Sequence, residues 1–337
     1  MAETSTWKRW LQRLQRPSGS QTTDTPPTAV ETPRDHAPRR DAAPGRDAPR
    51  GDAARGRRRG HPVFNDDALY RAWRTVRANG GGPGVDGVDI ARFEAELGPN
   101  LARLRDELNR GTYRPNRVNR VLIPKKNEGL RPLAIWALRD RVAQRAVMEW
   151  LEPQFEPRFL ACSHGFRPGR SVDTAVAAVA RGRDGGSVWV ADADIKECFD
   201  SIDAALLMKM LRERVKDRKV LTALEHWLQA GILNADGRIR AAGAAQGGVL
   251  SPLLCNIYLH SFDEAMTRRQ LALVRYADDF VILCRRRQDA EASLEAARKS
   301  LAALKLELHP QKTRVVSFDQ GFKFLGYFFI RKEQYKL

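Results

Sequence analysis

The stretch that most restricts the fold is residues 273–284, LVRYADDFVILC, in which two runs of strand-forming side chains flank a short turn carrying Asp278 and Asp279. Such a segment reads as a β-hairpin with two carboxylates at its tip. Desolvating an unpaired carboxylate costs far more than the flanking strands gain, so the tip has to face water, a cation or a metal. A metal needs a further ligand. Residues 188–200, VWVADADIKECFD, offer one: a β-rich run that reaches Asp192, Asp194 and Asp200 just where a helix would begin. Either stretch alone is ordinarily a solvated turn or a helix N-cap, but the two in this order favour a shared cation site.

A chain of 337 residues has room for one large or two modest domains. Its 58 Lys and Arg against 41 Asp and Glu leave a net charge of +17, a field that attracts phosphate backbones or an anionic membrane surface. The membrane alternative is the weaker one. No uncharged apolar run approaches the roughly twenty residues of a spanning helix, and the N-terminus lacks the apolar core of a secretory signal. A soluble, cytoplasmic protein is expected. Cys162, Cys198, Cys255 and Cys284 are scattered without paired spacing and read as small buried hydrophobes rather than zinc ligands or disulfide partners.

Along the chain, residues 1–16 place Trp7, Trp10, Leu11 and Leu14 on one face of a short basic helix, which docks on the body, a partner or a lipid surface, or frays. Residues 17–61 hold almost no large apolar side chain and are expected to be a disordered linker, ending in an arginine-rich arm that suits nucleic-acid contact or plain solvation. The body begins near Pro62. A helix over 68–76 stops at the glycine cluster 79–87, and Phe93, Leu97, Leu101, Leu104 and Leu108 mark one further helix. Residues 117–135 form a hairpin flanked by cations. Asp140 is expected to cap a helix that Pro153 ends, and Asp289 to cap another. The loop 163–171, SHGFRPGRS, suits phosphate contact or helix capping, with His164 as a local hydrogen-bonding residue. The order β-α-α-β-hairpin-α-β predicts an α+β fold built on a split βαβ sheet with helices on one side. That topology sets Asp194 beside Asp278 and Asp279, a carboxylate trio suited to magnesium and in-line phosphoryl transfer.

Residues 276–279, YADD, resemble the catalytic box of reverse transcriptases. Residues 194–200, 246–252 (QGGVLSP) and 324–327 (FLGY) are similar to further motifs of the bacterial group II intron branch, and the likeness runs over residues 63–330. The resemblance implies a right-hand polymerase with a fingers region at 62–185 and an RRM-like palm at 186–337. It implies Asp194 and Asp278 as metal ligands together with the Ile195 carbonyl, Asp279 as their support, and magnesium, or alternatively manganese, as the cofactor. Phe199 would exclude a ribose 2′-hydroxyl, or is an ordinary core aromatic. Lys125 and Arg131 would hold the triphosphate, Gln246 and Gly247 would line the nucleotide, and Gly248, Arg167 and Arg170 the nucleic acid. Lys312 would protonate pyrophosphate, or is a surface charge. The expected ligands are an RNA template, a DNA or RNA primer and deoxynucleoside triphosphates. Because the sequence ends ten residues after Tyr327, no complete thumb is expected, and a protein or RNA partner would supply the clamp. The expected setting is a CRISPR spacer-acquisition or antiphage-defence system. The alternatives are a weakly catalytic RNA-holding subunit, which the intact carboxylates disfavour, and an RNA-making polymerase, which Phe199 disfavours.

Overall fold

The computed structural model describes residues 63–337 except 125–129, 234–238, 242–243 and 245–246, and omits the side chains of 131–132, 233 and 239–241. The helix expected at 1–16, the linker at 17–61, Lys125 and Gln246 therefore lie outside the described residues. Helix α1 (Asp66–Asn79) starts where the Asn65 side chain accepts the Ala68 N–H, and ends on Gly80 at φ 68°. Its Trp73 stacks on Phe93 of α2 (Ile90–Ala95) with ring centroids 4.9 Å apart. The single helix expected from Phe93 to Leu108 is two, broken at Glu96 before α3 (Leu97–Arg110). Pro99 has no N–H to return to Ala95, so the α-helical ladder cannot run through, whereas a proline in the first turn of a new helix loses nothing.

Strands β1 (Val118–Pro124) and β2 (Leu130–Ile135) form the expected hairpin, registered Asn119 to Ile135. Helix α4 (Leu138–Phe155) follows. Two expectations fail within it. Asp140 is no cap: it is fully buried, accepting hydrogen bonds from the Tyr113 hydroxyl at 2.6 Å and the Asn116 N–H at 3.0 Å. Pro153 does not end the helix, which runs on to Phe155, because a proline so near the end disturbs little of the ladder.

Helix α5 (Val172–Asp184) opens with a capping box between Ser171 and Thr174, and leads to β3 (Trp189–Asp194). After α6 (Cys198–Ser201), α7 (Ala204–Arg214) and α8 (Arg218–Gln229), strands β4 (Gly231–Leu233) and β5 (Ile239–Ala241) join the first sheet in the order β2-β1-β4-β5. Then come α9 (Ser251–Arg268), β6 (Ala272–Tyr276), β7 (Asp279–Cys284), α10 (Arg287–Ala302) and β8 (Arg314–Ser317). Arg286 rather than Asp289 precedes α10; Asp289 lies in its first turn and is gripped by the Arg286 guanidinium through two bonds of 3.0 and 2.8 Å. The second sheet has the order β6-β7-β3-β8 and every pairing in it is antiparallel.

This second sheet is buried on both faces, which corrects the expectation of helices on one side. Along β7, Phe280, Ile282 and Cys284 enter the main core, while the alternate residues Val281 and Leu283 enter a second one. The second core holds Ala175, Val176 and Val179 of α5 and the aromatics Phe318, Phe322 and Phe329. Double burial explains why β7 is an unbroken apolar run instead of an alternating one. Strands β9 (Phe322–Phe324), β10 (Tyr327–Ile330) and β11 (Glu333–Lys336) make a three-stranded sheet beyond it.

Candidate active site

The register of the second sheet brings the acids together. Asp194, last in β3, pairs with Asp279, first in β7, and the Ile195 N–H donates to the Asp278 carbonyl at 3.2 Å. The hairpin between β6 and β7 turns through Ala277 and Asp278, with Ala277 at φ 58°. Past β3, the His309 N–H donates to the Asp194 carbonyl at 2.8 Å and the Lys196 N–H to the Glu307 carbonyl at 2.9 Å. These two bonds dock the segment after α10 on the site and carry Lys312 in, its Nζ 2.9 Å from Asp194 Oδ2.

The electrostatics follow from that crowding. Burial, the Asp278 charge and the bond to Asp194 push the Asp279 carboxyl up to about 8, with Lys312 pulling the other way. Partial burial works against the Lys312 ammonium, yet its bond to Asp194 and the charges of Asp279 and Asp278 outweigh this and raise its pKa. Asp192, one step back on β3, is raised by burial against the opposing pull of Arg314, 3.0 Å away. Three carboxylates that repel one another need more positive charge than one lysine provides. Their all-oxygen donor set suits a hard divalent cation such as magnesium or manganese. Among the described residues no three His, Cys, Asp or Glu side chains close around one point.

Behind the turn lies a network that sequence reasoning missed. Arg275, next to last in β6, is completely buried and forms a two-pronged pair with Asp263 of α9 at 2.7 and 2.6 Å. Its remaining donors reach the Ala277 carbonyl at 2.9 Å, Ser163 Oγ at 2.8 Å and Asn256 Oδ1 at 3.2 Å. Asn256 in turn donates to the Gly165 carbonyl at 2.8 Å. Gly165 is pressed on the turn so closely that a Cβ there would lie 2.5 Å from the Ala277 nitrogen. An arginine inside an otherwise apolar strand was the available signal, since a buried guanidinium has to be paired.

Arg167 leaves the list of nucleic-acid contacts. Its guanidinium is buried, with bonds to both Glu156 carboxylate oxygens and to the carbonyls of Phe159, Leu160 and Ser163, so all five N–H donors are engaged internally. Arg170 is half-buried, bonded to the Ala161 carbonyl at 2.9 Å. Phe199 sits half-buried on α6, packed against the main core. Gly247 adopts φ 108° and a Cβ there would meet the Ala134 carbonyl at 2.6 Å, so this loop folds against β2. Gly248 is buried and its carbonyl accepts the Ser251 N–H. The backbone of Arg131 pairs with Ile123. His164 Nδ1 lies 2.9 Å from Thr174 Oγ1, the local bond expected of it.

Residues 123–329 match the family described as Reverse transcriptase (RNA-dependent DNA polymerase). Protein YkfC of Escherichia coli (strain K12) is 39% identical over 296 residues, covering 74% of this chain and 76% of YkfC. Group II intron-encoded protein LtrA of Lactococcus lactis subsp. cremoris is 30% identical over 332 residues, covering 79% of this chain and 55% of LtrA, so the chain spans little more than half of that relative. A telomerase from Candida albicans, solved with a fragment of telomeric RNA, superposes with a TM-score of 0.51 at 15% identity, covering 68% of this chain and 47% of that one, a likeness of fold. No helix among the described residues is long and apolar enough to cross a membrane. The chain belongs to the reverse transcriptase (RNA-dependent DNA polymerase) family, in its group II intron-like branch.

Proposed function

We propose that this chain copies RNA into DNA through a site made of Asp194, Asp278, Asp279 and Lys312. The observation that carries the reading is the register of Asp194 with Asp279, which sets three carboxylates and one ammonium at the same sheet end. Asp194, Asp278 and the Ile195 carbonyl would hold the divalent cation, magnesium or manganese, with Asp279 supporting them. When bound, that cation supplies the positive charge that phosphoryl transfer needs at the attacking and leaving oxygens. Lys312 holds a proton at Nζ beside Asp194, where a leaving pyrophosphate can take it. Phe199, one residue beyond Cys198 at the start of α6, stands under the incoming sugar and selects against a 2′-hydroxyl.

The β1–β2 hairpin and residues 62–185 serve as the fingers, with Lys125 and Arg131 toward the triphosphate, and residues 186–337 form the split βαβ palm. The ion pair of Arg120 on β1 with Asp200 on α6, 3.6 Å apart, supports a fingers hairpin lying against the palm. Gln246, Gly247, Gly248 and Arg170 line the nucleotide and the RNA template with its DNA or RNA primer. The reaction takes place in the cytoplasm. The intron-encoded name of LtrA supports a retroelement lineage.

Primer extension on a primed RNA template tests the reading. Asp278→Asn removes charge without changing shape and should lower DNA synthesis more than about a thousandfold with an unaltered melting temperature. Phe199→Val should admit ribonucleotides. Near-normal synthesis by Asp278→Asn in magnesium would sink the assignment, and an unchanged sugar preference in Phe199→Val would return Phe199 to the core.

A further inference from the structure

Phe166 has no part in either core. It is 49% exposed, and its backbone stands at φ 57°, a conformation that a bulky side chain takes up only under constraint. The constraint comes from both neighbours. Gly165 is clamped between the catalytic turn and the Asn256 amide, and Arg167 is locked by its internal bonds. An exposed aromatic is thus held outward by two buried anchors. Its ring centroid lies 6.1 Å from that of Tyr276, at an interplanar angle of 46°. Tyr276 belongs to the strand that delivers Asp278 and Asp279.

The buried anchors on either side enforce the strain, and its outcome is an aromatic face kept exposed beside the turn of Asp278 and Asp279, where a ligand can reach it. An aromatic face can stack on a nucleobase whatever its identity, which suits a polymerase that must accept every sequence. The net charge of +17 over the whole chain draws in the phosphate backbone and says nothing about the bases. We infer that Phe166 is a stacking platform for a nucleobase of the bound primer–template, braced against Tyr276 and held in place by Gly165 and Arg167. The inference rests on the polymerase reading above and adds to it a contact with a base.

The test uses the full chain and an RNA template annealed to a DNA primer, with 2-aminopurine placed in turn at positions around the primer terminus, and no nucleotide present. Wild type should quench the probe at one position. Phe166→Gly should abolish that quenching and weaken binding about tenfold, the size of one base–aromatic stack. Its melting temperature should equal or exceed that of wild type, because glycine accepts the left-handed backbone. Phe166→Trp should keep both quenching and affinity. Unchanged affinity and quenching in Phe166→Gly would overturn the platform, as would a fall in melting temperature large enough to explain the lost binding. Extension by wild type with added deoxynucleotides separates the two readings: a protein that extends normally as Phe166→Gly refutes the platform alone, and one that quenches but never extends refutes turnover alone.

Discussion

Two ion pairs hold the two sides of the turn at Ala277 and Asp278, and they are built in opposite ways. Arg275 and Asp263 meet at 2.6 Å with both side chains wholly enclosed, whereas Lys312 and Asp194 meet at 2.9 Å with the lysine 58% exposed. Burial works against the Arg275 charge, but Asp263 more than offsets it and raises its pKa. Every donor of that guanidinium has a fixed acceptor, so the inner pair has one arrangement. Lys312 is a single point charge on a flexible stem at the rim. The inner charges hold the Ala277 carbonyl in position; in the proposed mechanism the outer ones exchange partners when substrate and cation arrive. The same chemical attraction becomes scaffold or machinery according to how much water reaches it.

Breaking the inner pair should have the largest effect on stability. Asp263→Ala strands a buried guanidinium and should cost about 3–5 kcal/mol in urea unfolding. Replacing both partners, as Arg275→Met with Asp263→Leu, should restore most of that stability while leaving DNA synthesis low, because nothing then holds the Ala277 carbonyl. Full recovery of synthesis in the double variant would make the pair scaffold only and remove its positioning role.

Asp140 sharpens the comparison, being a buried acid whose hydrogen-bond donors are neutral and whose cation, Arg139, stands 3.9 Å away. Burial is the main cause that pushes it up to about 6. A raised acid binds its proton more tightly folded than unfolded. Its contribution is therefore fully present below pH 3.8 and is lost as the pH rises through about 6. The loss amounts to at most about 3 kcal/mol. Unfolding free energies at pH 4 and pH 7 should fall more for wild type than for Asp140→Asn. Equal slopes would show that the acid is better compensated than its partners indicate.

The smallest stability effect belongs to the outer pair. Lys312→Met should change unfolding by less than about 0.5 kcal/mol, the scale of an exposed ion pair. Synthesis should nonetheless drop by roughly ten- to a hundredfold, most of it in kcat, as for loss of a proton donor. A large loss of stability would erase the contrast between rim and interior.

Much of the site was legible because its signals are local. Asp278 and Asp279 sit between two runs of strand-forming residues, and Asp194 closes a third, so strand propensity, acid placement and the split βαβ order sufficed to pair them. Arg167 misled for the converse reason: in a loop rich in Gly and Arg, nothing distinguishes a guanidinium facing solvent from one folded back on Glu156. Asp140 and Asp289 stand where caps stand, but Tyr113 and Arg286 claim them. Arg275 stayed hidden because its partners come from as far as Ser163, 112 residues away along the chain. Burial of both faces of the second sheet depended on α5 and the late aromatics, which only three-dimensional packing brings together.

The position of β3 between β7 and β8 has a bearing on how the protein is made. Arg314 reaches Asp192 across 122 residues of chain, so the central strand leaves the ribosome long before either neighbour exists. At synthesis rates of about 5–20 residues per second, it waits on the order of ten seconds with both edges unpaired. Its apolar residues are meanwhile open to mispairing and to chaperones. Because β3 carries Asp194, the proposed catalytic centre is assembled late, first when β7 arrives and then when the segment bearing Lys312 docks.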